Sequence, residues 1–429
     1  MNREDLTTRK RVAIGDLRPG MYVIGLDRSW LQTPFLFHRK LIERPEDIEK
    51  LKQHGIREVE IDTARGTDVS DVFDGETPEA DEPASLRADA QRIDSRITAA
   101  QRPLSAAQSA FQPIVRELDT ARSIHGEALT LAQAIFEGVG GGAPIDGETA
   151  GRVVTNLQAS ITRSPEANLL MMQMRRFQSD LFTHAVNVCV LSLVVATIEG
   201  MVEDIDALGM GALLHDIGET RLPRSLLNKT NDFTDADAHL LKQHPILGAA
   251  LLAQSSDIPA PVERIILDHH ERVDGSGYPS GARAADLSTY SQLVALADSY
   301  DDMLSGRNQV ALQPTEVLRQ LYIQANVGAV NRELIEKVIR SLGVYPIGSV
   351  VELNTGEHGV VISTNRSSAL KPIVRIIMAR NGIVQFNGPI LALADGVEDR
   401  VERRIIAVLD PVKERIDPMA FLRIAPGAF

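Results

Sequence analysis

The side chains able to do chemistry fall into two stretches. His215-Asp216-Ile217-Gly218 sets an imidazole beside a carboxylate at the end of the apolar run 208–214. His269-His270-Glu271-Arg272-Val273-Asp274-Gly275-Ser276-Gly277-Tyr278-Pro279 sets a histidine pair ahead of a Gly/Pro loop. A carboxylate beside so apolar a run needs a counter-charge, and a metal ion supplies one. Neighbouring side chains on a helix project about 100° apart. His269 and His270 can therefore serve two ions, or one ion and a substrate. The glycines at 275 and 277 let the loop backbone approach a ligand closely.

Further candidates sit at spacings that let them converge on these two stretches. Asp180 and His184 are four apart, so one helical face carries both. His244 precedes Pro245, and Asp298 is an acid set in the apolar run 293–300, with Asp301 and Asp302 a turn later. Arg307 follows, with a guanidinium fork suited to phosphate. His38, His54 and His239 stand apart and read as ordinary surface or packing residues. Five histidines and three carboxylates give mixed N/O ligation without cysteine, which favours iron, manganese or zinc. More than four ligands ask for more than one ion. Two or three ions sharing carboxylates suit hydrolysis of a phosphoester.

The elements that must position these residues are mostly helical. One helix is expected over 168–196, burying Leu170, Met174, Phe177, Leu181, Ala185 and Val188 and turning Asp180, His184 and Asn187 to a polar face. Residues 152–345 are helical by pattern and carry all the chemistry. Ahead of them lie a small α+β domain (1–66), an acidic linker (67–85) and a helical connector (86–151). In the first of these, strands are expected over 21–26 and 57–62 and a helix over 43–54. The connector has a seam of apolar residues interrupted by Pro103 and Pro113, so two or three helices are expected, ending at the glycines of 138–142. Its sharper reading is a dimerisation or partner-relay helix. After 345 the pattern turns to short strands, expected over 350–353, 359–363, 374–378, 383–386 and 404–409, in a β-rich extension (346–429).

Composition limits the partners. The net charge of −13 and the sparse aromatics (4%) argue against a nucleic-acid polymer, while a small phosphorylated ligand stays open. The single cysteine, Cys189, reads as a core thiol. No apolar leader is expected from the polar start Met1 to Asp5, and the longest apolar run falls short of the about 20 residues that span a bilayer. A cytoplasmic protein without membrane insertion is expected.

Residues 167–345 resemble the HD-GYP branch of the HD metal phosphohydrolases. The order matches throughout: His184 with Asn187-Val188, His215-Asp216-Ile217-Gly218, His244-Pro245, then His269-His270-Glu271-Arg272 with Asp274-Gly275 and Gly277-Tyr278-Pro279, and finally Ala297-Asp298. The N-terminal residues resemble a domain of unknown function often attached to that family. The resemblance implies an HD-type helical bundle and hydrolysis of cyclic di-GMP to pGpG, sometimes on to GMP, by a metal-bridging hydroxide. It implies two or three divalent ions, commonly iron or manganese, held by His184, His215, Asp216, His244, His269, His270 and Asp298, with Asp216 bridging. Asp180 stands where some members hold a third ion. Gly277, Tyr278, Pro279, Arg272, Asp274 and Arg307 would meet substrate. Two departures remove positive charge: Glu219 stands where the family often has Lys, and Asn308-Gln309-Val310 follow Arg307 where a second basic residue is usual. They keep two alternatives open, a catalytically weak cyclic-dinucleotide receptor and a hydrolase of another cyclic dinucleotide or nucleotide.

Overall fold

The computed structural model describes residues 9–26, 40–42, 48–49, 52, 56–63, 106–174, 180–227, 229, 234–255, 257–307, 310–365, 368–394 and 402–421. The expected helix over 43–54, the acidic linker, and the seam before residue 106 lie outside them or nearly so. So do His38 and His54. The chain divides into two compact units, Met1–Arg102 and Pro103–Phe429.

The first unit holds an antiparallel sheet of β1 (Arg9–Ala13), β2 (Tyr22–Leu26), β3 (Lys40–Leu41) and β4 (Glu58–Asp62), in the order β1-β4-β2-β3. Alternate residues of the strands point inward, and Val12, Val23, Val59 and Ile61 pack there with Leu17 and Met21. β2 and β4 match the expected strands. β1, rich in Lys and Arg, was not legible as a strand.

The second unit begins with α1 (Ala106–Gly140), α2 (Gly147–Arg163) and α3 (Pro165–Met174). Pro113 lies inside α1, so the break expected there is absent, while the one expected at Pro103 lies outside the described residues. Proline removes one helical hydrogen bond, but the helix is held in place on either side by buried Phe111 and Ile114. α1 also packs into the bundle: Ala128, Ala132, Ile135, Phe136 and Val139 belong to the main core.

The expected single helix over 168–196 is two helices, α3 and α4 (Leu181–Glu199). Asp180 is the N-cap of α4, extended at φ −74° and ψ 154°, and its carboxylate accepts from the Thr183 backbone N–H. A capping Asp satisfies one of the free N–H groups at a helix start, which a mid-helix Asp cannot do. α4 is buried on every face from Thr183 to Ala196. It is long and apolar enough to cross a membrane, but its apolar side chains are taken up by α1, α2, α3, α5, α10 and α12 around it. Its polar residues face into the bundle, not to solvent.

There follow α5 (Ile205–Leu214), a 3-10 segment (Ile217–Arg221), α6 (Arg224–Leu227), α7 (Asp235–Leu241), α8 (His244–Leu252), α9 (Pro261–Asp268), α10 (Thr289–Ser305), α11 (Pro314–Asn326) and α12 (Arg332–Leu342). An antiparallel sheet closes the unit, in the order β8-β7-β6-β5-β9: β5 (Val350–Leu353), β6 (His358–Ser363), β7 (Ile373–Met378), β8 (Ile390–Ala392) and β9 (Ile405–Leu409). The strand expected over 383–386 is absent; only a single bridge joins Val384 to Met378. Ile383 and Val384 are exposed, and the edge position goes to β8, whose Ile390 is buried.

Candidate metal centre

Helix ends deliver most of the centre. His215 is the C-cap of α5, and Asp216 opens the 3-10 segment. His244 is the first residue of α8, and His269 is the C-cap of α9 with His270 just beyond. His184 comes from the first turn of α4, and Asp298 from the middle of α10. The 3-10 segment must lie almost against α8 for these ends to meet. At Gly218 a Cβ would overlap the His244 carbonyl oxygen, so only glycine fits there.

Seven side chains converge as two groups. Asp216, His244, His269 and His270 form one, and His184, His215 and Asp298 the other, with ligand atoms in each within 4.8 Å of one another. Asp216 faces both. Its Oδ1 lies 3.2 Å from His244 Nε2 and 3.6 Å from His269 Nε2. Its Oδ2 lies 3.5 Å from His215 Nε2 and 3.8 Å from His184 Nε2. On the far side, His184 Nε2 is 3.2 Å from Asp298 Oδ1.

Hydrogen bonds on the outer ring nitrogens fix which atoms face inward. The Nδ1–H groups of His215, His244 and His269 donate to the carbonyls of Ala212, Leu241 and Ile266 at 2.8, 2.8 and 2.7 Å. A carbonyl only accepts, so each neutral ring turns an Nε2 lone pair to the centre. The inner nitrogens meet closely, and between His244 and His269 both present lone pairs. His184 Nε2 is 3.2 Å from His215 Nε2, and His244 Nε2 is 3.1 Å from both His269 Nε2 and His270 Nε2. Acceptor facing acceptor in a dry site is unfavourable unless a cation or proton lies between them. The donor set therefore fits divalent ions.

A buried outer layer supports the ligands. Asp301 Oδ2 accepts from His184 Nδ1 at 2.8 Å, while its Oδ1 accepts from Asn187 Nδ2 at 3.0 Å. Burial opposes ionisation of Asp216, yet the charge of Arg307 beside it helps hold it well below the usual carboxylate range. Burial, then the charge of Asp216, pushes Glu219 up to about 7. Burial keeps His269 and His270 below the usual histidine value, which favours the neutral, ligating form.

The loop after His270 is pinned from beneath. Glu271, 3% exposed, accepts from Ser280 N at 2.7 Å and Ser280 Oγ at 2.8 Å through Oε1, and from Ala282 N at 3.1 Å through Oε2. Gly277 packs where a Cβ would overlap the backbone of Glu271 and Arg272. Tyr278 stacks on His270 with ring centroids 4.7 Å apart, and the Tyr278–Pro279 peptide is cis.

The candidates from sequence thus separate. His184, His215, Asp216, His244, His269, His270 and Asp298 come together. Gly277 and Tyr278 lie beside His270, and Arg307 reaches Asp216. Asp180 is exposed, belongs to neither ligand group, and gives both carboxylate oxygens to Thr183 at 2.8 Å. Asp274 is an exposed turn former, accepting from Ser276. Arg272 reaches Ser299, at 3.4 Å. Sequence reasoning missed the work of Glu271 and Asp301. The spacing of Asp301, three residues after Asp298 and so on its face of α10, was the available signal.

The chain is similar to several known proteins. Residues 191–328 match the HD domain family, residues 9–150 a domain of unknown function (DUF3391), and residues 350–394 a KOW domain associated with HD domain. A cyclic di-GMP phosphodiesterase of Pseudomonas aeruginosa is 29% identical over 399 residues, covering 91% of each chain. A cyclic di-GMP phosphodiesterase response regulator of Xanthomonas campestris is 39% identical over 106 residues, 24% of this chain and 28% of that relative. Among solved structures, an HDG"Y"P protein of Bdellovibrio bacteriovorus has a TM-score of 0.43 at 19% identity, covering 77% of this chain and 98% of its own. All of the histidine and aspartate centre except His184 lies within the part of the chain that matches the HD domain family.

Proposed function

We propose that this centre holds two divalent ions, iron or manganese, and that the chain hydrolyses cyclic di-GMP to pGpG. The observation that carries the reading is Asp216, whose two oxygens face two separate sets of nitrogen and oxygen ligands. His184, His215 and Asp298 would hold one ion, and His244, His269 and His270 the other. When bound, the ions supply a water of lowered pKa and stabilise charge on the phosphoryl oxygens.

The chain's own groups do the positioning. The carbonyl anchors on His215, His244 and His269 keep their rings from turning, so the ligand geometry needs no reorganisation on loading. Glu271 holds the Gly277–Tyr278–Pro279 loop over His270, where it would border the dinucleotide. Arg307 supplies positive charge at the rim for a phosphate. The relative aligned along most of the chain is named for cyclic di-GMP, which supports that substrate over the 3'3'-cGAMP of a Vibrio cholerae relative that is 24% identical over 41% of this chain. We place the reaction in the cytoplasm, since α4, the one described helix of membrane-spanning length and hydropathy, is mostly buried.

The test is anaerobic reconstitution with iron or manganese, followed by turnover of cyclic di-GMP with chromatographic separation of products and a metal count. pGpG should form with two ions per chain, and His215→Ala should lose both product and metal. Binding of the dinucleotide without product under either metal would leave a receptor in place of an enzyme.

A further inference from the structure

Arg307 has two carboxylate partners, and one of them is the bridging Asp216. Its Nη1 donates to Asp216 Oδ2 at 2.8 Å, and its Nη2 donates to Glu219 Oε2 at 2.7 Å. All three side chains are nearly dry, 15%, 4% and 11% exposed for Arg307, Asp216 and Glu219. The Asp216 oxygen taken by Arg307 is also the one that faces His184 and His215. An ion held by His184, His215 and Asp298 would need that oxygen. Two cations thus compete for one atom.

Glu219 changes the outcome of that competition. Two like charges close together in a poorly solvated site repel strongly, so a guanidinium fixed on Asp216 opposes an incoming divalent ion. A second carboxylate on the same guanidinium both neutralises it and offers it somewhere to stay. Without such an anchor, the buried arginine would hold a hydrogen bond to Asp216 alone, with Asp302 acting on it only as a nearby charge, and leaving Asp216 would strand its hydrogen-bonding edge.

We propose that Glu219 is a positioning residue that holds Arg307 as the ion at the His184–His215–Asp298 group displaces it from Asp216. The Arg307–Asp216 bond and that ion then exclude each other. Loading frees one edge of the guanidinium, next to the ions, for a phosphoryl oxygen. The inference rests on the metal reading of the centre given above, and it explains how a chain with Glu at position 219 keeps a usable cation at its rim.

The experiment is titration of metal-free protein with Mn2+ against a chromogenic chelator, for wild type, Glu219→Gln, Arg307→Ala and the double variant, with thermal melts to confirm folding. Glu219→Gln should weaken binding by about tenfold, the scale of a partly buried charge pair. Arg307→Ala should tighten it several-fold. In the Arg307→Ala background, Glu219→Gln should have no effect, because Glu219 acts through the arginine. An equal weakening in both backgrounds would make Glu219 a metal ligand and overturn the inference. Unchanged binding in Glu219→Gln would overturn it too, while wild-type protein that takes up no Mn2+ removes the metal reading itself.

Discussion

His184 is fixed from the side away from the other ligands. Asp301 accepts its Nδ1–H, and Asn187 in turn donates to the second oxygen of Asp301 at 3.0 Å. With the outer nitrogen committed to a carboxylate, the inner nitrogen is a better donor to a metal, and the ring cannot flip. Asp301→Asn keeps the volume but removes that charge. Manganese affinity should fall by about 10–100-fold, the usual cost of losing such a partner, while the thermal melt of the metal-free protein moves little. The chelator titration measures the first and calorimetry the second. Equal affinity in Asp301→Asn would mean that Asp301 serves packing and not ligation. The seven ligand candidates were legible in the sequence because residue type and order declared them. Asp301 was legible only as a neighbour, since nothing in a sequence says which of three acids in one helix faces a histidine 117 residues earlier.

The ligand-bearing elements meet through a backbone contact. The 3-10 segment packs on α8 at Gly218 and Gly248, and α8 packs on α9. A methyl at Gly218 would overlap the carbonyl of His244, which is backbone and cannot rotate away. Gly218→Ala should therefore push α8 outward and part His244 from Asp216. We expect about 1–3 kcal/mol of destabilisation from the overpacking, read by denaturant unfolding, together with loss of manganese binding. A variant that unfolds as wild type does would show that the segment can shift at no cost. Where element prediction failed, the failure has a physical origin. His184 and Asn187 read only as part of a polar helix face, because residues turned to a dry ionic centre have the same polarity as residues turned to solvent. α4 is buried all round, and only tertiary structure separates the two cases. The break between α3 and α4 was missed for a related reason: Asp180 fits the helical period but is used as a cap.

At the scale of the whole chain, the sequence pattern suggests a catalytic domain starting near residue 152, with helices before it as a connector. The packing argues for an earlier start. α1 lies against α2, α3, α4 and the 3-10 segment, and its Phe136, Ile135 and Val139 join the same core as the helices that carry the ligands. Period alone could not reveal this, since a helix with one apolar stripe buries it equally well on a partner chain or on its own domain. Removing residues 1–151 would expose the partners of Ile135, Phe136, Val139 and Ile145, all 1–5% exposed. At about 1.5–3 kcal/mol for each large apolar side chain, four such losses amount to about 6–12 kcal/mol. Net domain stability is about 5–15 kcal/mol, so the shorter piece should not fold. Removing residues 1–102 deletes the first compact unit alone and leaves this core complete. The piece starting at residue 103 should therefore melt cooperatively and bind manganese as the full chain does, while the piece starting at 152 should be recovered unfolded or aggregated. Circular dichroism melts and the metal titration distinguish the two. A folded, metal-binding piece from residue 152 would return α1 to the role of a connector and free its buried face for a partner.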